Sequence, residues 1–241
     1  METIELLYLF LVAAGGGFIQ RVSGFGLGIF VMLFLPHFMP THTAAAAVSS
    51  LFSCGTSTYN AIKYRKRIDY KTVLPMLIAS LVTIPFAVHF SASITQDFFK
   101  MLLGIVLIIL SIYFIFFNKH IKIKPTTVNG AVSGALGGVL GGLFSTGGPP
   151  AVLYLSHAVN EPLVYFASIQ FYFCLTNIYA TATRALNGII TWELLAYALF
   201  GMVGCMLGDF LGKRVFDNLN HKKLKLIIYI GMIISGIIMI L

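Results

Sequence analysis

Two stretches interrupt an otherwise apolar sequence: Ser145-Thr146-Gly147-Gly148-Pro149-Pro150 in the second half, and Gln20-Arg21-Val22-Ser23-Gly24-Phe25-Gly26 in the first. Glycine and proline break a helix and free backbone polar groups. In a membrane, such backbone is tolerated only where it is buried in protein or lines a wet cavity. Because apolar runs flank both stretches, we expect each to separate two short helical segments at membrane depth.

The composition indicates a membrane protein along the whole chain. Hydrophobic residues make up 58% of the 241 positions and charged residues 10%, whereas a soluble domain is usually about 25% charged. Apolar runs recur from residue 4 to residue 241 and leave no stretch for a soluble catalytic domain. The first run ends without a small-residue cleavage site, so we expect no signal peptide to be removed.

The apolar runs predict an all-α polytopic membrane protein with five segments in each half. They cover roughly 4–19, 25–39, 43–62, 72–90 and 98–117, then 126–144, 149–159, 163–183, 192–212 and 224–241. A constant shift of 122 residues pairs Ser23 with Ser145 and Gly26 with Gly148. Because the glycine breaks and loop starts stay in register, the chain is predicted to be a duplication. Its domains would be a first membrane repeat, 1–122, and a second, inverted repeat, 123–241.

The basic residues predict how the two repeats are oriented. Most of the 16 Lys and Arg residues lie beside apolar runs, in the clusters 63–71, 118–124 and 213–225. Such clusters mark cytoplasmic loops. With the shift of 122, the basic cluster 63–71 corresponds to 185–193, which has no Lys or Arg. The loop 91–97, which also has no Lys or Arg, corresponds to 213–219, which begins Lys213-Arg214. The charge bias changes sides, so we expect inverted repeats in a plasma (inner) membrane, with both termini outside.

The first two segments of each repeat are short. At ~1.5 Å per residue, runs of 11 to 19 residues mostly fall below the ~20 needed to cross a ~30 Å hydrocarbon core. We therefore expect that the two do not both cross. Each repeat would consist of a broken or re-entrant helix pair followed by three transmembrane helices. Two broken segments that face each other near the midplane are the arrangement in which secondary transporters hold a substrate.

Arg21 is a cation in an apolar stretch, away from the basic loops. An intramembrane charge costs ~2.5 to 3.5 kcal/mol at a helix centre, so Arg21 should face a cavity or a partner. It either binds an anion beside the positive ends of the second segments or snorkels to the cytoplasmic surface. The predicted substrate-binding residues are Gln20, Arg21, Ser23, Gly24, Gly26, Ser145, Thr146, Gly147, Gly148, Gln170 and Asn177.

The other polar residues give weaker signals. Gln170 and Asn177 lie seven residues apart, on one helix face, where hydrogen bonding between helices is as good an explanation as substrate binding. Asp209 alone among the acids lies inside a segment and beyond its first two residues, four residues before Lys213, and is expected to pair at the cytoplasmic interface. The sequence has no Walker motif and no paired metal-ligand spacing. We therefore expect no cofactor, no metal and no ATP hydrolysis.

The run Gly142-Leu143-Phe144-Ser145-Thr146-Gly147-Gly148-Pro149-Pro150, its weaker counterpart at 20–26 and the basic loop Tyr64-Arg65-Lys66-Arg67-Ile68-Asp69 resemble the TauE/SafE sulfite exporter family over essentially the whole chain. This resemblance implies a transporter of sulfite, organosulfonates or related small sulfur-containing anions, working without ATP.

We therefore expect a secondary transporter and not an enzyme. An anion channel with the same site is the alternative, and an intramembrane enzyme is a distant third because no pair of nucleophile and base is evident. The expected partners are a small anionic substrate and the lipid bilayer, without nucleic acid. The sequence is compatible with a homodimer.

Overall fold

The structure is a computed structural model that describes residues 3–117, 123–215 and 221–241. The described residues form ten α-helices: α1 Thr3–Ser23, α2 Leu27–Phe34, α3 His42–Lys63, α4 Tyr70–Ser93, α5 Gln96–Ile112, α6 Thr127–Phe144, α7 Gly148–Ala158, α8 Pro162–Leu186, α9 Trp192–Val215 and α10 His221–Ile240. Each helix coincides with one predicted segment, and the described ranges contain no strand. The all-α fold class is confirmed.

Short polar signals begin several of these helices. The Thr41 side chain accepts a hydrogen bond from the amide of Ala44 at the start of α3, and the Asp69 carboxylate accepts one from Thr72 at the start of α4. Thr95 and Thr126 cap α5 and α6 in the same way. Such caps satisfy amides that have no partner inside the helix, so the polar breaks between the apolar runs also fix where the helices begin.

Six of the described helices are long and apolar enough to cross a membrane: α1, α4, α5, α6, α8 and α9. The first helices α1 and α6 have 21 and 18 residues, whereas the second helices α2 and α7 have 8 and 11. Helix α1 is longer than its predicted run because it continues through Gln20 and Arg21 to Ser23. Since ~20 residues are needed to cross, α2 and α7 are too short to do so.

The first helix of each half packs against the fourth helix of the other half, so that α1 lies along α9 and α6 lies along α4. The α1–α9 contact is close because Gly208 has no side chain. A Cβ atom there would overlap the carbonyl oxygen of Ala14. Gly204 lies against Phe10 in the same way, one turn earlier on both helices. Helices α1 and α9 therefore run in the same direction, joined by small residues that let the backbones approach.

The third helices, α3 and α8, run in opposite directions. The Thr181 hydroxyl donates to Ser50 Oγ at 3.2 Å, whereas Thr58, further along α3, lies 3.3 Å from Cys174, which is earlier on α8. These helices occupy equivalent places in the two predicted repeats.

Part of the basic clusters that were predicted to be cytoplasmic lies outside the described part of the protein. This part comprises Lys119 and Lys122, and the side chains of Lys222, Lys223 and Lys225.

Candidate functional site

Both predicted breaks are present as short turns between helices. The first separates α1 from α2 and contains Gly24 and Gly26, with φ of 81° and 99°. The second separates α6 from α7 and contains Ser145, with φ of 59°. Over the described ranges Ser145 is the one residue other than glycine with a positive φ. This conformation costs an L-residue roughly 1–2 kcal/mol, and such strain is found mostly at functional sites.

The two breaks meet inside the protein. Gly28, in the first turn of α2, lies so close to the carbonyl oxygen of Ser145 that a Cβ atom would overlap it. On the other side, a Cβ atom on Gly148 would lie 3.5 Å from the Phe25 ring. The predicted juxtaposition of the two breaks is therefore present in the structure.

A small cavity lies between the breaks, beside the middle of α3 and α8. Its volume, measured as the space open to the centres of water molecules, is about 40 Å³. One water needs ~10–15 Å³ on this measure, so the cavity has room for a few waters or one small ion. The predicted residues that line it are Gln20, Gly26, Ser145, Thr146, Gly147, Gly148 and Asn177. The structure adds, among others, Gly28, Ser53, Gly137, Gly141, Tyr172, Phe173 and Thr176.

Two hydroxyls of the second break have no hydrogen-bond partner. Ser145 Oγ and Thr146 Oγ1 are buried, both residues line the cavity, and neither atom has a partner. A buried polar group without a partner costs about 1–3 kcal/mol, so the cavity suits a ligand that accepts hydrogen bonds. The hydroxyls are donors available to a ligand at this end of α7, where Pro149 and Pro150 occupy the first turn and have no backbone N–H group. In the described ranges, no cluster of His, Cys, Asp or Glu could hold a metal ion.

Three predicted residues surround the first break without lining the cavity. Ser23 Oγ contacts the carbonyl oxygens of Ile19 and Phe25, so this hydroxyl is engaged with its own turn. The Gln170 amide donates to the carbonyl oxygen of Gly24 at 3.1 Å and accepts from Gln20 Nε2 at 3.1 Å. Gln170 on α8 therefore binds the first break through Gly24, and it also binds Gln20, which lines the cavity.

Arg21 also lies outside the cavity lining, in a polar cluster between α1, α3 and α9. Its Nη1 donates to Asn60 Oδ1 at 3.0 Å, and its Nε lies 3.8 Å from Asp209 Oδ2. The guanidinium also stacks over the Phe166 ring, 5.4 Å from the centroid. Asp209 thus contacts Arg21, where the sequence suggested a surface pairing near Lys213. Gly212 makes this contact sterically feasible, because a Cβ atom there would lie 2.9 Å from Arg21 Cβ.

Arg184 is a buried cation in the last turn of α8, just beyond the predicted segment 163–183. It is 1% exposed, and its Nη2 donates to the carbonyl oxygens of Gly141 at 2.9 Å and Gly142 at 2.8 Å. Its Nη1 atom is buried without a partner. The sequence did carry a signal, since Arg184 also adjoins an apolar run in a part of the chain with no other Lys or Arg nearby.

Comparison with known proteins agrees with the motif resemblance. The sequence model of the family described as Sulfite exporter TauE/SafE matches residues 9–239. The chain therefore belongs to this family, and with its long apolar helices it is a multi-pass membrane protein of a transporter family. No match was found among curated proteins or among solved structures.

Proposed function

We propose that this member of the TauE/SafE family is a secondary transporter of small oxyanions, with sulfite or an organosulfonate as the favoured substrate. The observation that carries the proposal is the pair of buried, unpartnered hydroxyls, Ser145 Oγ and Thr146 Oγ1, at a cavity between two broken helices. An oxyanion supplies the acceptors that these donors lack, and the cavity volume of about 40 Å³ suits a small one.

The packing around the cavity supports transport by alternating access. On one side the Gln20–Gln170 hydrogen bond joins α1 to α8, with the Arg21 cluster beyond it. On the other side Ile84, Val88 and Ala180 form a small apolar cluster. A carrier needs two such layers, which open in turn. Inverted repeats provide them naturally, since each layer is built from equivalent helices of opposite orientation.

An anion channel is the alternative, because it could use the same broken helices without alternating closure. Flux into proteoliposomes separates the two. A carrier saturates with substrate and shows counterflow, whereas large unitary currents would exclude a carrier. Uptake of sulfite, sulfate, thiosulfate and taurine, with and without a pH gradient, would identify the substrate and any coupling to protons.

The two hydroxyls of the second break are predicted to contribute to anion affinity. Thr146→Val removes one hydroxyl and keeps the shape of the side chain. Ser145→Gly removes the other and also relieves the left-handed backbone strain, so this variant should fold at least as stably. A neutral hydrogen bond contributes about 0.5–1.5 kcal/mol, so each change should weaken sulfite binding about twofold to tenfold.

Titration calorimetry on the purified protein measures these affinities. Ser156→Ala is the matched control, since Ser156 lies on α7 with an exposed side chain. The binding role of the break is wrong if the double variant Ser145→Gly/Thr146→Val binds sulfite as tightly as the control.

The inverted topology is a second part of the proposal. Two contacts support it: Arg67 lies 3.6 Å from Glu161, and His89 lies 3.4 Å from Asn187. The first joins a basic loop of the first half to the start of α8, and the second joins the end of α4 to the end of α8. The loop 63–71 and Glu161 therefore lie on one side of the protein, which we propose is cytoplasmic.

Cysteine labelling of intact cells tests this topology. After replacement of the native cysteines, single cysteines at Ser93 and Asn187 should react with an impermeant reagent added outside. Cysteines at Lys66 and Asn218 should be protected until the membrane is opened; Asn218 lies outside the described residues. Ser93 and Asn218 hold nearly equivalent places in the two repeats, so labelling of both from the same side would contradict the inversion.

A further inference from the structure

The charge of Arg184 is not balanced by a carboxylate. The ion pairs found among the described residues join Arg21 to Asp209 and Arg67 to Glu161, and neither includes Arg184. An arginine cannot lose its proton to escape burial. A charge held in the membrane interior is costly and, as a rule, faces a partner, a cavity or a substrate path.

The carbonyl groups of α6 compensate Arg184 only in part. The C-terminal end of a helix carries roughly half of a negative charge, and Nη2 uses it by binding the oxygens of Gly141 and Gly142. The remaining positive charge stays with the guanidinium, whose Nη1 is a buried donor without an acceptor. Arg184 therefore has both a charge and a hydrogen-bonding atom that the protein itself does not satisfy.

Arg184 also lies next to the cavity. Gly141, whose carbonyl oxygen is 2.9 Å from Nη2, lines the cavity. Ala180, one helical turn before Arg184 on α8, lines it as well. Neither Arg184 nor Arg21, the other buried arginine of the described residues, lines the cavity itself, but Arg21 already has Asp209 as its counter-ion.

We propose that Arg184 is the cationic residue of the substrate site and that its Nη1 binds an oxygen of the transported anion at the α6 end of the cavity. This inference rests on the proposed transport function and names the residue that makes the site prefer anions. The hydroxyls of Ser145 and Thr146 then contact the oxygens of the same ligand from the second break.

A purely structural role would be to cap α6. In that case Arg184 stabilises the fold through Gly141 and Gly142, and anion affinity is independent of its charge. The two roles differ in how the protein responds to an anion, so the test compares the response to sulfite and not the stability alone.

The experiment follows thermal unfolding of the purified full-length protein in detergent, over a series of sulfite concentrations at constant ionic strength. Binding to the folded state raises the wild-type melting temperature. Arg184→Gln keeps donors for the α6 carbonyls and removes the charge. This variant should need about tenfold to hundredfold more sulfite for the same rise, as expected for the loss of a charge-assisted hydrogen bond. Arg67→Gln, on an exposed arginine, is the control and should titrate like the wild type.

A lower melting temperature with an unchanged sulfite titration in Arg184→Gln overturns the proposal and leaves only the capping role. Arg184→Lys covers the case in which the Gln variant does not fold. Its single ammonium cannot hold both carbonyls and reach the anion as the planar guanidinium can, so severalfold weaker sulfite binding is expected and wild-type binding overturns the proposal. If the wild type responds to none of sulfite, sulfate, thiosulfate and taurine and transports none of them, the proposed function itself fails.

Discussion

Asp209→Ala is expected to destabilise the folded protein by about 3–5 kcal/mol, because it leaves Arg21 buried without a counter-ion. The side chains of Arg21 and Asp209 are 8% and 11% exposed, and their closest charged atoms lie 3.8 Å apart. Asn60 completes the cluster, since its Nδ2 lies 3.4 Å from Asp209 Oδ1. Removal of the carboxylate takes away partners from both Arg21 and Asn60, and the arginine cannot become neutral.

Thermal or denaturant unfolding of the purified protein measures this loss. Glu161→Ala is the control, because Glu161 pairs with Arg67 at an exposed site, where an ion pair contributes about 0–1 kcal/mol. The double variant Arg21→Met/Asp209→Leu removes both charges and should recover most of the stability. If Asp209→Ala costs no more than Glu161→Ala, the cluster does not stabilise the fold.

The same double variant also tests the predicted contact between Arg21 and the anion. This variant lacks Arg21 and also lacks Asp209, which would be left buried without a partner. Its sulfite affinity therefore measures the role of Arg21 in a protein that still folds. Because Arg21 pairs with Asp209 and does not line the cavity, we expect an affinity close to that of the wild type, whereas a loss of about tenfold to hundredfold would show that Arg21 contacts the anion. Wild-type affinity in this variant would show that Arg21 does not bind the anion.

Gly28→Ala is expected to reduce transport at least tenfold and to destabilise the protein by about 1–3 kcal/mol, as overpacking does. A Cβ atom at Gly28 would overlap the carbonyl oxygen of Ser145. This neighbour is backbone in a tight turn, so the overlap can be relieved only if the two breaks move apart. Alanine is otherwise the better helix former by ~1 kcal/mol, so a loss must come from the contact between the breaks.

Sulfite uptake into proteoliposomes, together with the melting temperature, measures the effect of Gly28→Ala. The matched control is Gly231→Ala in α10, where the added Cβ atom would lie 3.7 Å from the Leu33 side chain, an ordinary contact. Equal uptake by the two variants would show that the breaks need not touch during transport.

The helices could be predicted from the sequence because the features that define them are local. Apolar runs, polar caps and glycine or proline breaks are all visible along the chain, and each predicted segment became one helix. The end of α1 was harder to predict. The apolar run ends at residue 19, yet the helix continues to Ser23 because Gln20 and Arg21 find hydrogen-bond partners on α8 and α3.

The candidate site could be predicted from the sequence where it consists of a contiguous motif and not where it depends on packing. Ser145 and Thr146 were found because the break itself is a signal. The partner of Arg21 is 188 positions away, at Asp209, and was chosen by the packing of α1 on α9. In the sequence Arg184 lies just after the run 163–183, and only the packing of α6 against α8 makes it a buried cation beside the cavity.

The crossed pairing of α1 with α9 and of α4 with α6 determines how the chain can be divided. Neither half buries the face of its own first helix, since the fourth helix of the other half covers it. A half expressed alone would expose that glycine-rich face and could hide it only against a second copy of itself or against the missing half. The two halves thus depend on each other for folding, like the subunits of an obligate heterodimer that are joined in a single polypeptide.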